Sequence, residues 1–373
     1  MIPPKKAYLS LGSNIDDRVA HLENAIQFLF ENVGDINQIS KVYSTPSWGF
    51  DGADFYNICL EVTTRLNPQQ LLEKLLEIEL KMGRSRSNEK GYKNRNIDID
   101  VLFFEDEKIE SEALVIPHPF LHERKFVLQP LSDIAGEKKH PILDLSVKQL
   151  LSSVKDNSEI QTIDIQLKKP QLKNPFHGYN YIAIEGNIGA GKTSLSHMIS
   201  QDFNARLILE RFKDNPFLPK FYEDQARYAF PLEMSFLADR YQQLSDDLAQ
   251  YDLFADFIVS DYDIFKSLIF AKITLQEDEY LLYYKLFNFM FKELKKPDLY
   301  IYLYQNTERL LSNIKKRGRE YEKEINKEYL TKINSGYLSF IKAQQGLNVR
   351  IIDISDMDFV ENRKDYLSII SEI

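Results

Sequence analysis

The chain has 373 residues, 43% of them hydrophobic, with a formal net charge of −9 at pH 7 and a single cysteine, Cys59. This length predicts about two domains, and the hydrophobic content is enough for each to have an ordinary hydrophobic core. The negative charge argues against a nucleic-acid partner. A single cysteine excludes an intrachain disulfide. No run of 18 apolar residues and no apolar signal core near residue 1 occur, so we expect a cytoplasmic protein that is neither secreted nor membrane-spanning.

The first half of the chain mixes strand and helix patterns without strict alternation. Strands are predicted over residues 6–14, 38–46, 54–65 and 96–104, and helices over 18–32 and 68–82, with a further helix or turn from 126. Asn67 and Pro68 are a favourable N-cap and first residue for the second helix. This order predicts an α+β domain.

Two aspartates stand out in the fourth strand. Asp98 and Asp100 are two residues apart, so both face one side of the strand while Ile97, Ile99 and Val101 face the core. Like charges this close repel unless a cation lies between them. Mg²⁺ is the economical explanation and would bring a phosphate substrate; the alternative is a solvated acidic edge strand.

A basic loop precedes the aspartate pair. It contains Arg84, Arg86, Lys90, Lys93 and Arg95 after a glycine. Next to paired carboxylates such a loop suggests a polyphosphate clamp, whereas the same charges in isolation would indicate a solvated loop.

A series of motifs around these residues resembles one known family. In order they are LSLGSN (9–14), YSTP (43–46), FYN (55–57), IEL (78–80) with GR (83–84), Arg95 with Asp98 and Asp100, and PHP (117–119) with Arg124 and Phe126. The pattern, over about residues 6–150, is similar to the 6-hydroxymethyl-7,8-dihydropterin pyrophosphokinases. The resemblance implies a ferredoxin-like α+β fold and transfer of the pyrophosphoryl group of ATP to the pterin hydroxymethyl group.

The same resemblance implies roles for individual residues. Asp98 and Asp100 would hold Mg²⁺, and the catalytic Arg84 and Arg95, with the ATP-binding His118 and Arg124, would neutralise the triphosphate. The pterin would lie between Phe55 and Phe126, with Asn57 at its polar edge and Thr45 and Pro46 in the same pocket. Phe55 replaces a tyrosine that is common in the family.

The segment 152–178 is polar and contains Pro170 and Pro175. We therefore predict a first domain over 1–165, a linker over 166–178 and a second domain over 179–373.

The second domain begins with a strand, a glycine-rich loop and a helix. The loop GNIGAGKTS (186–194) fits the phosphate-binding pattern G-x-x-x-x-G-K-[ST], and its nucleotide-binding residues are predicted to be Gly186, Asn187, Gly189, Ala190, Gly191, Lys192, Thr193 and Ser194. Lys192 supplies charge to the phosphates and Thr193 a hydroxyl for Mg²⁺. The alternative is a glycine turn that matches by chance. A helical region (216–296) and short strands at 299–303 and 349–354 predict a parallel sheet covered on both faces.

Further motifs resemble the deoxynucleoside kinases, particularly their bacterial purine-specific branch. They are LERF (209–212), NPFL (215–218), FYE (221–223), FPLEM (230–234) followed by Arg240, and RGREYE (317–322). The resemblance spans about 179–373 and implies a P-loop kinase fold.

Its implied roles are as follows. Glu210 would be the general base for the 5′-hydroxyl, Arg317 and Arg319 a lid over the transferred phosphoryl, and Asp261 part of the Mg²⁺ shell. Tyr222 and Glu322 would hold the 3′-hydroxyl, and Glu233 and Arg240 would face the base. Without the other motifs, the segment RGRE (317–320) would indicate only a charged helix surface.

Two positions depart from this family's pattern. Tyr262 follows Asp261 where an arginine is usual, and Lys266 or Arg211 are candidates to replace that charge. Glu233 replaces a glutamine: an ionised carboxylate only accepts hydrogen bonds, which favours guanine unless Glu233 is protonated or meets only the N6 amine of adenine. The resemblance favours deoxyadenosine, our first prediction, with deoxyguanosine second and a broad deoxynucleoside kinase as a further alternative.

We therefore expect a bifunctional enzyme that uses ATP and Mg²⁺ at two separate sites, acts on small molecules and forms a homodimer through its kinase helices. One alternative makes the first half a structural module, and another makes the second half a regulatory nucleotide switch.

Overall fold

The computed structural model describes residues 3–47, 52–83, 95–211, 215–249, 254–323, 325–344 and 346–373. The chain divides into two compact units, unit 1 (Met1–Lys173) and unit 2 (Asn174–Ile373). The predicted site residue Arg84 lies outside the described residues.

Unit 1 is built on an antiparallel sheet. Its strands are β1 (Lys5–Ser13), β2 (Gly34–Ile39), β3 (Val42–Thr45), β4 (Phe55–Thr64), β5 (Asp98–Phe104), β6 (Ile109–Glu110), β7 (Val115–Ile116) and β8 (Gln161–Ile163), and its helices are α1 (Arg18–Asn32), α2 (Pro68–Lys81), α3 (Lys125–Ala135) and α4 (Val147–Ser153). The strand order is β5-β1-β4-β3-β8, with β2 also on β4 and with β6 and β7 forming a separate hairpin. The residues predicted to form one strand over 38–46 therefore belong to two strands, β2 and β3, with a break near Ser40.

The strand order of unit 1 confirms the α+β prediction. Strand β1 pairs antiparallel with β4 and β5, while β2 and β3 both pair with β4, which gives the strand–helix–strand–strand–helix–strand order of ferredoxin-like folds. A capping box between Asn67 and Gln70 starts α2. Helix α1 packs on β1, α2 on β5, and α3 on β3 and β4.

Unit 2 contains a parallel five-stranded sheet. Its strands are β9 (Tyr181–Gly186), β10 (Ala205–Ile208), β11 (Phe257–Ser260), β12 (Leu299–Tyr304) and β13 (Val349–Asp353), and its helices are α5 (Lys192–Asp202), α6 (Leu218–Glu223), α7 (Gln225–Ala249), α8 (Phe265–Thr274), α9 (Glu277–Phe291), α10 (Thr307–Arg317), α11 (Lys327–Ala343) and α12 (Arg363–Glu372). The strand order is β10-β11-β9-β12-β13, and every pair is parallel.

Helices flank this sheet, as predicted. Tyr181 and Ala183 of β9 belong to a core that also contains residues of α7, α8, α9 and α11. Strand alternation turns Ile182 and Ile184 to the other face, and α5 packs against β9, β10 and β11. Parallel strands buried on both faces explain the continuous apolar runs in the sequence.

The boundary between the units falls inside the segment predicted as a linker. Phe176 from that segment is 1% exposed and packs edge-on against Phe203 and at a tilt against Phe257 of unit 2. Lys169, by contrast, donates to the Asn37 carbonyl of unit 1 at 2.6 Å. Across the described part of the chain, no helix combines the length and hydropathy needed to cross a bilayer.

Candidate active sites

The aspartate pair of unit 1 lies at the start of β5. Asp98 and Asp100 are partly exposed on one face, and Ile97 and Ile99 are buried. The Ile99 amide donates to the buried Glu79 carboxylate of α2 at 2.8 Å, which fixes the strand beside the helix. Two adjacent carboxylates on one face are oxygen ligands of the kind that suit Mg²⁺.

Arg95 is held next to this pair. Its guanidinium forms an ion pair with Asp98. Its backbone N–H donates to Asn14 Oδ1 at 2.7 Å, and the Asn14 N–H donates to the Arg95 carbonyl at 3.2 Å. The LSLGSN motif therefore positions the arginine as well as completing β1.

His118 approaches Asp100 from the segment after β7. Its Nε2 lies 4.0 Å from Asp100 Oδ2, and its Nδ1 accepts from the Phe120 N–H at 3.2 Å. Burial, with the nearby Arg124 guanidinium, lowers the pKa of His118 to about 4. The expectation that His118 adds positive charge is therefore corrected: at pH 7 it is neutral and offers an Nε2–H donor.

Arg124 lies between two aromatic rings. Its guanidinium carbon is 5.2 Å from the Phe120 ring centre and 5.7 Å from that of Phe126. Phe126 is partly buried against the core formed with α3 and α4. Cation–π contacts of this kind help to hold the guanidinium in place.

Asn57 and Thr45 form a buried polar pair at the same end of the sheet. Asn57 Nδ2 donates to Thr45 Oγ1 at 2.7 Å, and Asn57 is 4% exposed. Asn57 pairs with Gly12, which in turn pairs with Asp98. A Cβ on Gly12 would lie 2.8 Å from Asn57 Oδ1 and 3.5 Å from the Phe55 ring, so a larger residue at this position would displace the Asn57 side chain. Pro46 is exposed just after β3.

The glycine loop of unit 2 runs from β9 into α5. Lys192 Nζ donates to the carbonyls of Gly186 at 2.9 Å and Asn187 at 3.0 Å. Burial, followed by the charge of Lys266, lowers the pKa of Lys192 to about 8, so it remains mainly charged at pH 7. Gly191 has φ +84°, and a Cβ there would lie 2.7 Å from the Phe359 ring.

Buried amides connect this loop to neighbouring helices. Asn187 Nδ2 donates to the Leu330 carbonyl at 2.8 Å and to Asn334 Oδ1 at 2.7 Å. Asn313 of α10 donates to the Gly189 carbonyl at 3.0 Å. The sequence reasoning missed Asn313 and Asn334, since isolated asparagines on helices carry no motif.

Asp261 joins the loop to the end of β10. One carboxylate oxygen bonds the Thr193 hydroxyl, and the other accepts from the Glu210 N–H at 2.8 Å. A hydroxyl beside a carboxylate is a suitable pair of oxygen ligands for Mg²⁺. Thr193 and Asp261, predicted as metal-binding residues, are thus brought together.

The Glu210 carboxylate lies between two buried cations. Oε1 is 2.8 Å from Arg240 Nε, and Oε2 is 2.6 Å from Lys266 Nζ. Although burial alone would raise the pKa of Glu210, Lys266 and Arg240 lower it to about 2. Arg240 also donates to Ser267 Oγ at 2.8 Å. Arg240, predicted to face the base, is instead committed to Glu210, because a buried guanidinium requires a carboxylate partner.

The predicted lid arginines converge on one carboxylate. Arg317 Nη2 lies 2.6 Å and Arg319 Nη1 3.2 Å from the buried Glu322. In this structure one Glu322 oxygen therefore bonds Arg317 and the other bonds Arg319. Tyr222 lies on α6, which contacts the turn Glu320–Glu322.

A cavity of about 1210 Å³ collects most of these groups. Among the predicted residues it is lined by Gly189, Ala190, Gly191, Lys192, Thr193, Ser194, Glu210, Asp261, Arg317 and Arg319, and also by Arg309, Lys316 and residues 357–361. Within the described residues, Tyr222, Glu233, Arg240 and Glu322 do not line it. The position of 357–361 just after β13 could have been inferred, because ligands bind beyond the carboxyl ends of parallel strands.

Glu233 is buried in α7, near Arg240. It is 3% exposed, and its Oε1 accepts from Thr274 Oγ1 at 3.0 Å. Burial raises the pKa of Glu233 to about 7, against a smaller opposing effect of Arg240. The carboxyl group can therefore be charged or neutral close to neutral pH.

Comparisons with known proteins agree with this division. Residues 182–373 match the family model "Deoxynucleoside kinase", and residues 8–136 match "7,8-dihydro-6-hydroxymethylpterin-pyrophosphokinase". A Bacillus subtilis (strain 168) deoxyguanosine kinase is 40% identical over 52% of this chain and 95% of its own length. An Aquifex aeolicus (strain VF5) 2-amino-4-hydroxy-6-hydroxymethyldihydropteridine pyrophosphokinase is 41% identical over 38% of this chain and 88% of its own.

A solved structure of deoxyadenosine kinase from M. mycoides covers 51% of this chain and 96% of its own, with 27% identity and a TM-score of 0.45. The two family matches lie in different units, residues 8–136 in unit 1 and residues 182–373 in unit 2. The chain therefore belongs to the deoxynucleoside kinase family in its C-terminal half and to the hydroxymethyldihydropterin pyrophosphokinase family in its N-terminal half.

Proposed function

We propose that unit 2 transfers the γ-phosphoryl group of ATP to the 5′-hydroxyl of a purine deoxynucleoside. The observation that carries this proposal is the cavity in which the glycine loop, Glu210, Asp261, Arg317 and Arg319 meet. A phosphate cradle, a carboxylate and two arginines are the groups that phosphoryl transfer requires.

Glu210 acts as the proton acceptor. It is ionised at pH 7, and Arg240 and Lys266 fix both of its oxygens. Its low pKa makes it a weak base, which suits a loose transition state in which the hydroxyl is positioned first and loses its proton late. Lys266 supplies a cation close to the place where the family pattern has an arginine.

Thr193 and Asp261 would hold Mg²⁺, which when bound neutralises charge on the phosphate oxygens. Lys192 contributes its charge to the same phosphates. Arg317 and Arg319 neutralise charge on the transferred group, while Tyr222 and Glu322 hold the 3′-hydroxyl. For this last role, Glu322 shares its oxygens between the sugar and the arginines.

Guanine is the base we favour. An ionised Glu233 accepts two hydrogen bonds and so fits the N1–H and N2–H donors of guanine, and the Bacillus subtilis relative is named a deoxyguanosine kinase. Deoxyadenosine, our first prediction from the sequence, remains the second candidate because the raised pKa of Glu233 gives access to a protonated form.

We propose that unit 1 transfers the pyrophosphoryl group of ATP to 6-hydroxymethyl-7,8-dihydropterin. The observation behind this is the Asp98 and Asp100 pair with Arg95 and His118 around it. Asp98 and Asp100 would hold Mg²⁺, which would supply positive charge to the phosphate groups. Arg95 and Arg124 neutralise the triphosphate, and His118 donates a hydrogen bond to it.

The pterin ring is held by groups at the other side of this site. Phe55 and Phe126 stack on its faces, and the Asn57 and Thr45 pair reads its polar edge, with Pro46 beside it. Arg84 completes the predicted catalytic set.

Both proposals are tested by one assay series on the full chain. Each of the four deoxynucleosides is offered separately with ATP and Mg²⁺, and the pterin is offered in parallel. We expect turnover of a purine deoxynucleoside and of the pterin. Pterin binding without turnover would refute catalysis by unit 1, and nucleotide binding without phosphorylation of any deoxynucleoside would refute catalysis by unit 2.

We also propose that the protein is a cytoplasmic homodimer joined by helices of unit 2. Leu282, Leu286 and Phe289 of α9 are spaced along one helix face and are 50%, 39% and 80% exposed, and such a stripe favours association. Cys59 is a buried free thiol, which suits a reducing compartment. A monomer mass in sedimentation at micromolar concentration would refute the dimer.

A further inference from the structure

The carboxyl group of Glu233 is only half satisfied within the protein. Its Oε1 accepts from Thr274 of α8, whereas Oε2 is buried without a hydrogen-bond partner among the residues that the structure describes. A buried oxygen in this state is unfavourable because its lost hydration is not replaced. A ligand group that bonds Oε2 would remove that cost, so this atom is suited to read a substrate.

The groups around Glu233 have opposing effects on the ionisation of its carboxyl group. Arg240 on the same helix and Lys266 of α8 favour the ionised form, while burial and the Glu210 carboxylate oppose it. From α9, the Tyr283 hydroxyl donates to the Glu233 carbonyl at 3.4 Å.

Helix α11 adds a neutral neighbour. Tyr329 lies close enough to Glu233 and Tyr222 for both to raise its pKa, after the larger effect of burial, so it stays a phenol at neutral pH. Arg240 and Lys266 are already bonded to Glu210, so neither of these two cations is paired with the Glu233 carboxylate. Burial raises the pKa of Glu233 to about 7, against the smaller opposing effects of Arg240, Thr274 and Lys266.

The two forms of the carboxyl group fit different purine edges. An ionised carboxylate only accepts hydrogen bonds, so it fits the adjacent N1–H and N2–H of guanine and repels the lone pair on N1 of adenine. A protonated carboxyl group has one donor and one acceptor, so it fits N1 and N6–H of adenine as well as O6 and N1–H of guanine. Deprotonation therefore disfavours adenine, because only its N6–H can still donate to the carboxylate.

We propose that Glu233 sets the base preference through its own protonation: the ionised form favours deoxyguanosine, and the protonated form also admits deoxyadenosine. This inference rests on the proposed deoxynucleoside kinase activity and adds a specificity determinant to that site.

The test measures kcat/KM of the full chain for deoxyguanosine and for deoxyadenosine between pH 6 and 8.5. Both substrates carry the same sugar and reacting hydroxyl, so their ratio cancels any titration of Glu210, Lys192 or ATP. We expect the guanine-to-adenine ratio to rise with pH, approaching about tenfold per pH unit once Glu233 is mostly ionised, because kcat/KM reports groups of the free enzyme. A ratio that is constant over this range overturns the inference.

A variant with a fixed donor and acceptor completes the test. In Glu233→Gln the amide cannot ionise, so the ratio should become independent of pH and move toward adenine. The matched control, Glu293→Gln, alters an exposed carboxylate of the same unit and should keep the rise. Pterin turnover by each variant verifies the concentration of folded chain.

The outcomes separate the two levels of the proposal. Failure to phosphorylate either nucleoside refutes the kinase function and this inference with it. Phosphorylation of both with a constant ratio refutes only the role of Glu233. If Glu233→Gln does not fold, the pH profile of the unaltered chain still decides the question.

Discussion

Replacing Glu210 with glutamine removes the group on which the kinase proposal depends. Glu210→Gln keeps the shape of the side chain and one hydrogen-bond acceptor but leaves Arg240 and Lys266 without their shared carboxylate. We expect the phosphorylation kcat to fall by about 10²–10⁴, the usual contribution of a positioned proton acceptor.

The structural cost of this substitution follows from the pKa. The fall from 4.5 to about 2 corresponds to about 3 kcal/mol in favour of the ionised folded state, similar to the cost of breaking other buried ion pairs. Because the folded pKa is the lower one, this stabilisation is complete above pH 4.5 and is lost as pH falls toward 2. At neutral pH, Glu210→Gln should therefore lose about 3 kcal/mol of local stability.

Two measurements on the same polypeptide separate these effects. Pterin pyrophosphokinase turnover in unit 1 serves as an internal control and should not change. Amide hydrogen exchange in peptides from α7 and α8 reports the stability of the region around Arg240 and Lys266. Glu210→Asp, which retains a carboxylate, should recover part of both losses. An unchanged phosphorylation rate in a folded Glu210→Gln chain would refute the role of Glu210 as proton acceptor.

Three further predictions concern other parts of the two sites. Asp98→Asn should lower pterin pyrophosphorylation at least 100-fold and leave nucleoside phosphorylation unchanged; full pterin turnover in this variant would contradict the metal-binding role. Gly191→Ala places a Cβ 2.7 Å from the Phe359 ring at φ +84°, so it should destabilise unit 2 by about 1–3 kcal/mol and abolish ATP binding, as measured by thermal unfolding and nucleotide titration. His118 has a pKa of about 4, so it contributes no titration to the pterin rate between pH 6 and 8; His118→Gln, which retains an N–H donor, should keep more activity than His118→Ala, and equal losses would argue against the donor role.

Local sequence was sufficient to predict most elements of both units. Capping at Asn67, the apolar run of β9 and the glycine loop each act within a few residues, so their pattern is read directly from the chain. The prediction over 38–46 was wrong in extent because β2 and β3 both pair with β4, and the break between them depends on that pairing rather than on propensity.

The site residues also divide into those that the sequence alone identifies and those whose role depends on the tertiary structure. The amino-acid sequence was enough to identify both families, the phosphate loop and the paired aspartates, because their chemistry depends on spacing along one segment. The partners of Glu210 come from distant segments of the chain, whereas Glu322 pairs with arginines of its own motif. The charge of Glu210 and of His118 depends on burial and on which cations lie nearby. The commitment of Arg240 to Glu210, and the half-satisfied carboxyl group of Glu233, follow from packing α7 against α8, since low dielectric makes each buried charge depend on its nearest partner.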